Sequence, residues 1–129
     1  MRAATCFSGI GAPECAMPEW DWRWSADIEP FPNAVRAERF PGITNLGDVL
    51  AEDFLSTATE MGPLDVLIGG PPCQDFSVAG LREGLNGARG NLTLRWVQII
   101  HALRPRWAVT ENVPGWLSVN GGRAFGAFL

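Results

Sequence analysis

Along this chain short apolar runs alternate with segments in which apolar residues recur every three or four positions, and glycine or polar turns separate them. Residues 2–8 read as a short buried strand followed by the turn Gly9-Ile10-Gly11, and Pro13 suits the first turn of a helix, where its missing N–H would be unpaired anyway. Trp22 to Ile28 reads as a second strand, and Pro32 to Arg39 as a helix stopped before Pro41. An extended piece near Leu46 leads to Gly47-Asp48-Val49, and Ala51 to Met61 reads as a helix. Asp65-Val66-Leu67-Ile68 is a continuous apolar run bounded by Gly69-Gly70, as in a strand buried on both faces. The segment Gly69 to Gly90 is Gly-rich and weakly patterned; Asn91 is a good N-cap for a helix carrying Leu92, Trp96, Ile99, Ile100 and Leu103 on one stripe. Trp107-Ala108-Val109-Thr110 is the next strand, ending in Glu111-Asn112.

Strand–helix alternation with short loops predicts right-handed βαβ units and an α/β fold with a doubly wound, mostly parallel sheet. Ligands of such sheets bind at the carboxyl ends of strands, near the point where strand order reverses. Every glycine-rich or polar signal in this chain follows a predicted strand. The apolar ending at Ala124 to Leu129 reads as an element cut at its start, so the expectation is the amino-terminal part of something longer.

Composition narrows the class. The chain has 129 residues, 47% hydrophobic and 19% charged, enough for one core and too apolar for a disordered tail. It has no apolar run of about 18 residues, as a membrane helix needs, and no long apolar segment near its start. Three cysteines at 6, 15 and 73 form no disulfide framework, which points to a reducing, cytoplasmic setting; Cys6 and Cys15 read as inert packing. One histidine, His101, and scattered cysteines do not make a metal site. The net charge is −4 and all ten basic residues are Arg, an acidic balance unusual for a dedicated nucleic-acid module.

Four positions carry candidate chemistry. Phe7-Ser8-Gly9-Ile10-Gly11 opens a helix, and Asp27 lies eighteen residues past Gly9 at the end of the next strand. A carboxylate there suits the two hydroxyls of a ribose, although a plain tight turn with a capping Asp has the same pattern. Position 14 is Glu, where a dinucleotide fingerprint has its third glycine, and a carboxylate at a helix start repels a pyrophosphate. A nucleoside ligand without phosphates fits better. Asp48 suits an exocyclic amine such as adenine N6, or is a solvated turn residue. In Gly69-Gly70-Pro71-Pro72-Cys73-Gln74 two prolines fix the backbone and present Cys73 at the tip of a buried strand, a candidate nucleophile whose thiolate Arg82 or Arg89 would favour. Glu111, flanked by Val109 and Val113, is either a solvated end-of-strand residue or a partly desolvated carboxyl with a raised pKa, able to donate a proton.

Phe7-Ser8-Gly9-Ile10-Gly11, Asp27-Ile28-Glu29, Gly47-Asp48-Val49, Gly70-Pro71-Pro72-Cys73-Gln74, Arg89-Gly90-Asn91-Leu92 and Glu111-Asn112-Val113 resemble, in order, the first six motifs of DNA (cytosine-5) methyltransferases, over residues 4 to about 117. The resemblance implies a Rossmann-like S-adenosylmethionine-dependent methyltransferase fold and S-adenosylmethionine as cofactor. Phe7, Gly9, Ile10, Gly11, Val49, Pro72 and Leu92 would line its pocket, Asp27 would hold the ribose, Ile28 would pack on the adenine and Asp48 would meet the adenine amine. Cys73 would attack C6 of a cytosine flipped out of double-stranded DNA, and Glu111 would hydrogen-bond or protonate N3. Gln74, Ser77 and Arg89 would contact nucleic acid from a loop whose glycines at 80, 84 and 87 let it close.

The whole chain, 1–129, is then a partial catalytic domain without the target-recognition region, of restriction–modification or phage type. Other readings are an inactive fragment, one half of a split enzyme completed by a second chain, and a cytosine-5 RNA methyltransferase. Adenine-N6 or cytosine-N4 methylation is disfavoured, because those enzymes resemble an acid- or Asn-Pro-Pro-aromatic pattern and position 73 is Cys.

Overall fold

The computed structural model describes residues 1–72, 92–118, 122 and 125–126. Its elements run β1 (Arg2–Cys6), α1 (Ala12–Ala16), β2 (Asp21–Ala26), α2 (Pro30–Arg39), β3 (Thr44–Asn45), α3 (Phe54–Glu60), β4 (Val66–Gly69), α4 (Leu92–Leu103) and β5 (Trp107–Thr110), then a 3₁₀ turn at Pro114–Leu117. The five strands form one sheet in the order β3-β2-β1-β4-β5, and every pairing is parallel. This is the doubly wound arrangement expected from the alternation, with strand order reversing between β1 and β4.

Side chains alternate across a strand, so successive residues serve different layers. Ala4 and Cys6 of β1, Trp24 and Ala26 of β2 and Leu67 of β4 join Phe54 and Ala58 of α3 and Trp96 and Ile99 of α4 in one core. The Trp24 and Phe54 rings meet edge to face at 5.8 Å. Gly69 lets α4 approach: a Cβ there would lie 2.8 Å from the Trp96 ring. Trp96 Nε1 also donates to Thr110 Oγ1 at 2.9 Å, which fixes α4 over β4 and β5.

Several boundaries differ from the sequence reading. Strand β1 stops at Cys6 because Phe7 takes a positive φ of 55° and turns the chain out of the sheet. Residues 51–53 form a turn before α3 rather than its first turn. Cys6 is buried, and desolvation pushes its thiol pKa up, so it stays protonated and inert. Cys15 is exposed and does not serve as packing. Of the tryptophans, Trp24, Trp96 and Trp116 are buried, Trp20 and Trp22 stack at 5.7 Å, and Trp107 is 62% exposed. The N-cap reading of Asn91 lies outside the described residues. Among the described residues no helix is long and apolar enough to cross a membrane.

Candidate active site

The register of the sheet assembles the site. Cys6 pairs with Ala26 and with Gly69, and Gly69 pairs with Thr110. The next residue on each strand is Phe7, Asp27, Gly70 or Glu111, so all four stand along one carboxyl edge. Motifs separated by up to about a hundred residues in sequence become neighbours through parallel pairing alone.

A cleft of about 330 Å³ opens at this edge. Phe7, Gly9, Asp27, Ile28, Asp48, Val49, Pro72 and Leu92 line it, together with Ala26, Glu29, Pro32, Gly47 and Gly70. Its walls are mostly apolar, and among the described residues three carboxylates and no Arg line it. That chemistry suits an apolar-faced, cationic nucleoside and disfavours a phosphate. Phe7 packs edge to face on Trp96, with centroids 6.5 Å apart, so the floor of the cleft is continuous with the core.

Asp27 is held in place from three sides. Its Oδ2 accepts from Gly9 N at 2.7 Å and its Oδ1 from Glu29 N at 2.9 Å. Its backbone is clamped by Asn45, whose Oδ1 accepts from Asp27 N and whose Nδ2 donates to Asp27 O, each at 3.1 Å. Asn45 Oδ1 also accepts from Gly47 N at 3.1 Å, so one side chain joins the Asp27 and Asp48 turns. Asn33 Nδ2 adds a bond to Asp27 O at 2.8 Å. Neither Asn was singled out by sequence; asparagines beside turns are common, and nothing local marks these two.

Ile10 and Gly11 do not line the cleft. Ile10 is exposed. Gly11, at φ 87°, faces the other way, and a Cβ there would stand 2.6 Å from the Phe40 ring and 3.0 Å from Arg36 Nη1. This glycine serves helix packing, in keeping with a close-approach role.

Glu14 corrects the argument made from its position. It does not confront a ligand: it is 1% exposed and turned inward. Arg36 Nη2 lies 2.8 Å from Glu14 Oε1, and the Thr5 hydroxyl donates to the same oxygen at 2.7 Å. The preference for a phosphate-free ligand therefore rests on the carboxylates of the cleft.

Glu111 stands at the end of β5, where Glu111 N donates to Gly69 O at 3.1 Å. Its Oε2 lies so close over Gly70 that a Cβ on that glycine would be 3.1 Å away. The expected desolvation is not found: Glu111 is exposed, and Val109 and Val113 beside it are about half exposed, because β5 has no further strand beside it among the described residues. Asn112 Nδ2 donates to Pro71 O at 2.9 Å, and Pro71 is fully buried. Cys73, Gln74, Ser77, Arg82 and Arg89, and the glycines at 80, 84 and 87, lie outside the described residues. His101 is exposed on α4, away from the cleft. No group of metal-ligating side chains occurs among the described residues.

The fold has a solved counterpart. The chain superposes on the crystal structure of a Spodoptera frugiperda DNMT2 mutant with a TM-score of 0.72 at 24% identity, over 99% of this chain and 40% of that one. Among curated proteins it is 47% identical over 135 residues to a protein of Escherichia phage P1 named DNA N-6-adenine-methyltransferase, covering 95% of this chain and 18% of the phage protein. It is 58% identical over 117 residues to the type II methyltransferase M.HgiGI of Herpetosiphon aurantiacus, covering 88% of this chain and 90% of that protein. The chain thus spans about a fifth of the phage protein and two fifths of the insect one. The sequence model described as C-5 cytosine-specific DNA methylase matches residues 1–129. With that match over its whole length, and with the parallel sheet and carboxyl-edge cleft now in view, the chain belongs to the family of C-5 cytosine-specific DNA methylases.

Proposed function

We propose that this chain carries the cofactor-binding and nucleophile half of a DNA (cytosine-5) methyltransferase that uses S-adenosylmethionine. The observation that carries the reading is the register of the sheet: it brings the cleft, the Pro71-Pro72 segment leading to Cys73, and Glu111 to one carboxyl edge.

The cleft fits the cofactor. Asp27, fixed by Gly9 N and Glu29 N, would offer its carboxylate to the ribose hydroxyls, and Asp48, which also lines the cleft, would meet the adenine amine. Ile28 would pack on the adenine ring, with Phe7, Gly9, Val49, Pro72 and Leu92 as the other walls of the cleft. When bound, S-adenosylmethionine supplies an electrophilic methyl group on a sulfonium. The other steps belong to residues of this chain. The Cys73 thiolate adds to C6 of a cytosine turned out of double-stranded DNA, which makes C5 nucleophilic. Glu111 hydrogen-bonds or protonates N3 and draws off the charge that addition develops. After methylation, loss of the C5 proton expels the Cys73 thiolate. Gln74, Ser77 and Arg89 follow Cys73 in sequence and contact the DNA.

Trp107 and Val109 of β5 are 62% and 48% exposed, an apolar surface suited to packing against further protein of the same enzyme, including a second chain. Co-purification with tagged chain tests that arm; recovery of the chain without any partner from the source cell contradicts it.

Radiolabelled methyl transfer to DNA, followed by base analysis, tests the reaction. The expected product is 5-methylcytosine, absent with Cys73→Ala. Label on adenine N6, or full transfer by Cys73→Ala, contradicts the proposal.

A further inference from the structure

We infer that Arg95 is a positioning residue for adenine recognition, acting through the Asp48 turn. This rests on the reading of the cleft as the adenosyl site.

Arg95 lies one helical turn after Leu92 on α4, and Leu92 itself lines the cleft. The half-buried Arg95 side chain crosses to the turn that follows β3. Its Nε donates to Val49 O at 2.6 Å and its Nη2 to Ala51 O at 3.4 Å, while Nη1 reaches Gln98 Oε1 at 3.5 Å. The two carbonyls belong to the turn that orients Asp48. In that turn Asp48 Oδ1 accepts from Leu50 N at 2.9 Å and Asp48 O accepts from Ala51 N at 3.1 Å. Asn45 holds the same turn from the other end, through Gly47 N. The guanidinium fork therefore fixes Asp48 against the wall built by its own helix. A planar fork does this where a single ammonium does not, because two carbonyls are engaged along one stiff plane.

The consequence is for selectivity more than for affinity. A site that hydrogen-bonds one polar edge discriminates strongly only while its acceptor is held in place. With the fork removed, Asp48 is free to shift and the cleft stops distinguishing an amine donor from a carbonyl acceptor at the purine 6-position. The apolar walls, and so most of the binding, remain.

Calorimetric titration of the full chain with S-adenosylhomocysteine and with its 6-oxo (inosyl) analogue reads this directly. The wild-type chain is expected to prefer the adenosyl ligand by about tenfold or more. Arg95→Met is expected to bring that ratio within about threefold of unity, and Arg95→Lys, which keeps charge and stem, to an intermediate ratio. In an Asp48→Ala background Arg95→Met should change the ratio no further. A ratio at the wild-type value in both Arg95 variants, with both affinities lowered together, overturns the inference and leaves Arg95 as plain structural support. A wild-type chain that binds both ligands equally contradicts the Asp48 contact and the inference with it. A folded wild-type chain that binds neither overturns the adenosyl reading of the cleft itself.

Discussion

The Asn112 side chain donates to the Pro71 carbonyl at 2.9 Å and so ties the end of β5 to the segment that leads into Cys73. Pro71 and Pro72 offer no N–H to anchor that segment, and the carbonyl is the handle that remains. The bond fixes Pro71 relative to Glu111, the residue before Asn112.

Asn112→Ala is therefore expected to lower methyl transfer at least tenfold while leaving S-adenosylmethionine affinity within a few fold. The loss in folding stability should be modest, about 1–2 kcal/mol, because Asn112 Oδ1 also accepts from Val113 N at 2.9 Å. Steady-state transfer assays beside urea unfolding separate the two. An unchanged rate would show that the Pro71 anchor is dispensable.

The Glu14–Arg36 pair gives a prediction about stability. Both side chains are at least 96% buried in effect, with exposures of 1% and 4%, and they join α1 to α2 behind the glycine turn. Removing one partner strands a buried charge. Glu14→Gln or Arg36→Met alone should destabilise the chain by about 3–5 kcal/mol, a large part of the stability of a small domain. Replacing both with apolar residues of similar volume should restore most of it. Urea denaturation of the single and double variants checks this, and additive losses would contradict it.

Acid sensitivity follows from Asp65. Its carboxylate accepts from the Arg2 side chain at 2.9 and 3.2 Å and from Arg2 N at 2.8 Å, and these bonds hold its pKa well below the usual carboxylate range. A depressed pKa in the folded state means that the unfolded chain binds a proton first as pH falls. The contribution is complete above the ordinary Asp pKa of about 4 and fades below it. Wild-type stability measured against Asp65→Asn should differ at pH 7, and the gap should narrow as pH drops through about 4. A gap independent of pH would contradict the link between Arg2, Asp65 and the β1–β4 pairing.

Much of this architecture was legible because parallel sheets write themselves plainly. The run Asp65 to Ile68 and the α4 stripe through Trp96 and Ile99 each found their predicted element. Most of the cleft residues were legible too, since Phe7, Gly9, Asp27, Ile28, Asp48, Val49 and Pro72 follow strands and the sheet aligns strand ends. What escaped depends on three-dimensional pairing. Glu14 and Arg36 are twenty-two positions apart on different helices, so no periodicity links them, and a charged residue near a glycine turn reads as ligand-facing. Gly11 looked like a ligand glycine but makes room for Phe40 and Arg36. Asn45 and Arg95 bond to backbone atoms, which carry no sequence signal. Glu111 was expected to be desolvated by its valines, yet β5 is the last strand of the sheet among the described residues, and Val109 and Val113 are themselves about half exposed and do not cover it.

The central claim is that the carboxyl-edge cleft is an S-adenosylmethionine site anchored by Asp27, and a calorimetric titration of the full chain with S-adenosylmethionine tests it most directly. One saturable site is expected, weakened at least tenfold by Asp27→Ala, with circular dichroism showing that the variant stays folded. No heat of binding from a folded wild-type chain, or equal affinity in Asp27→Ala, would contradict the account.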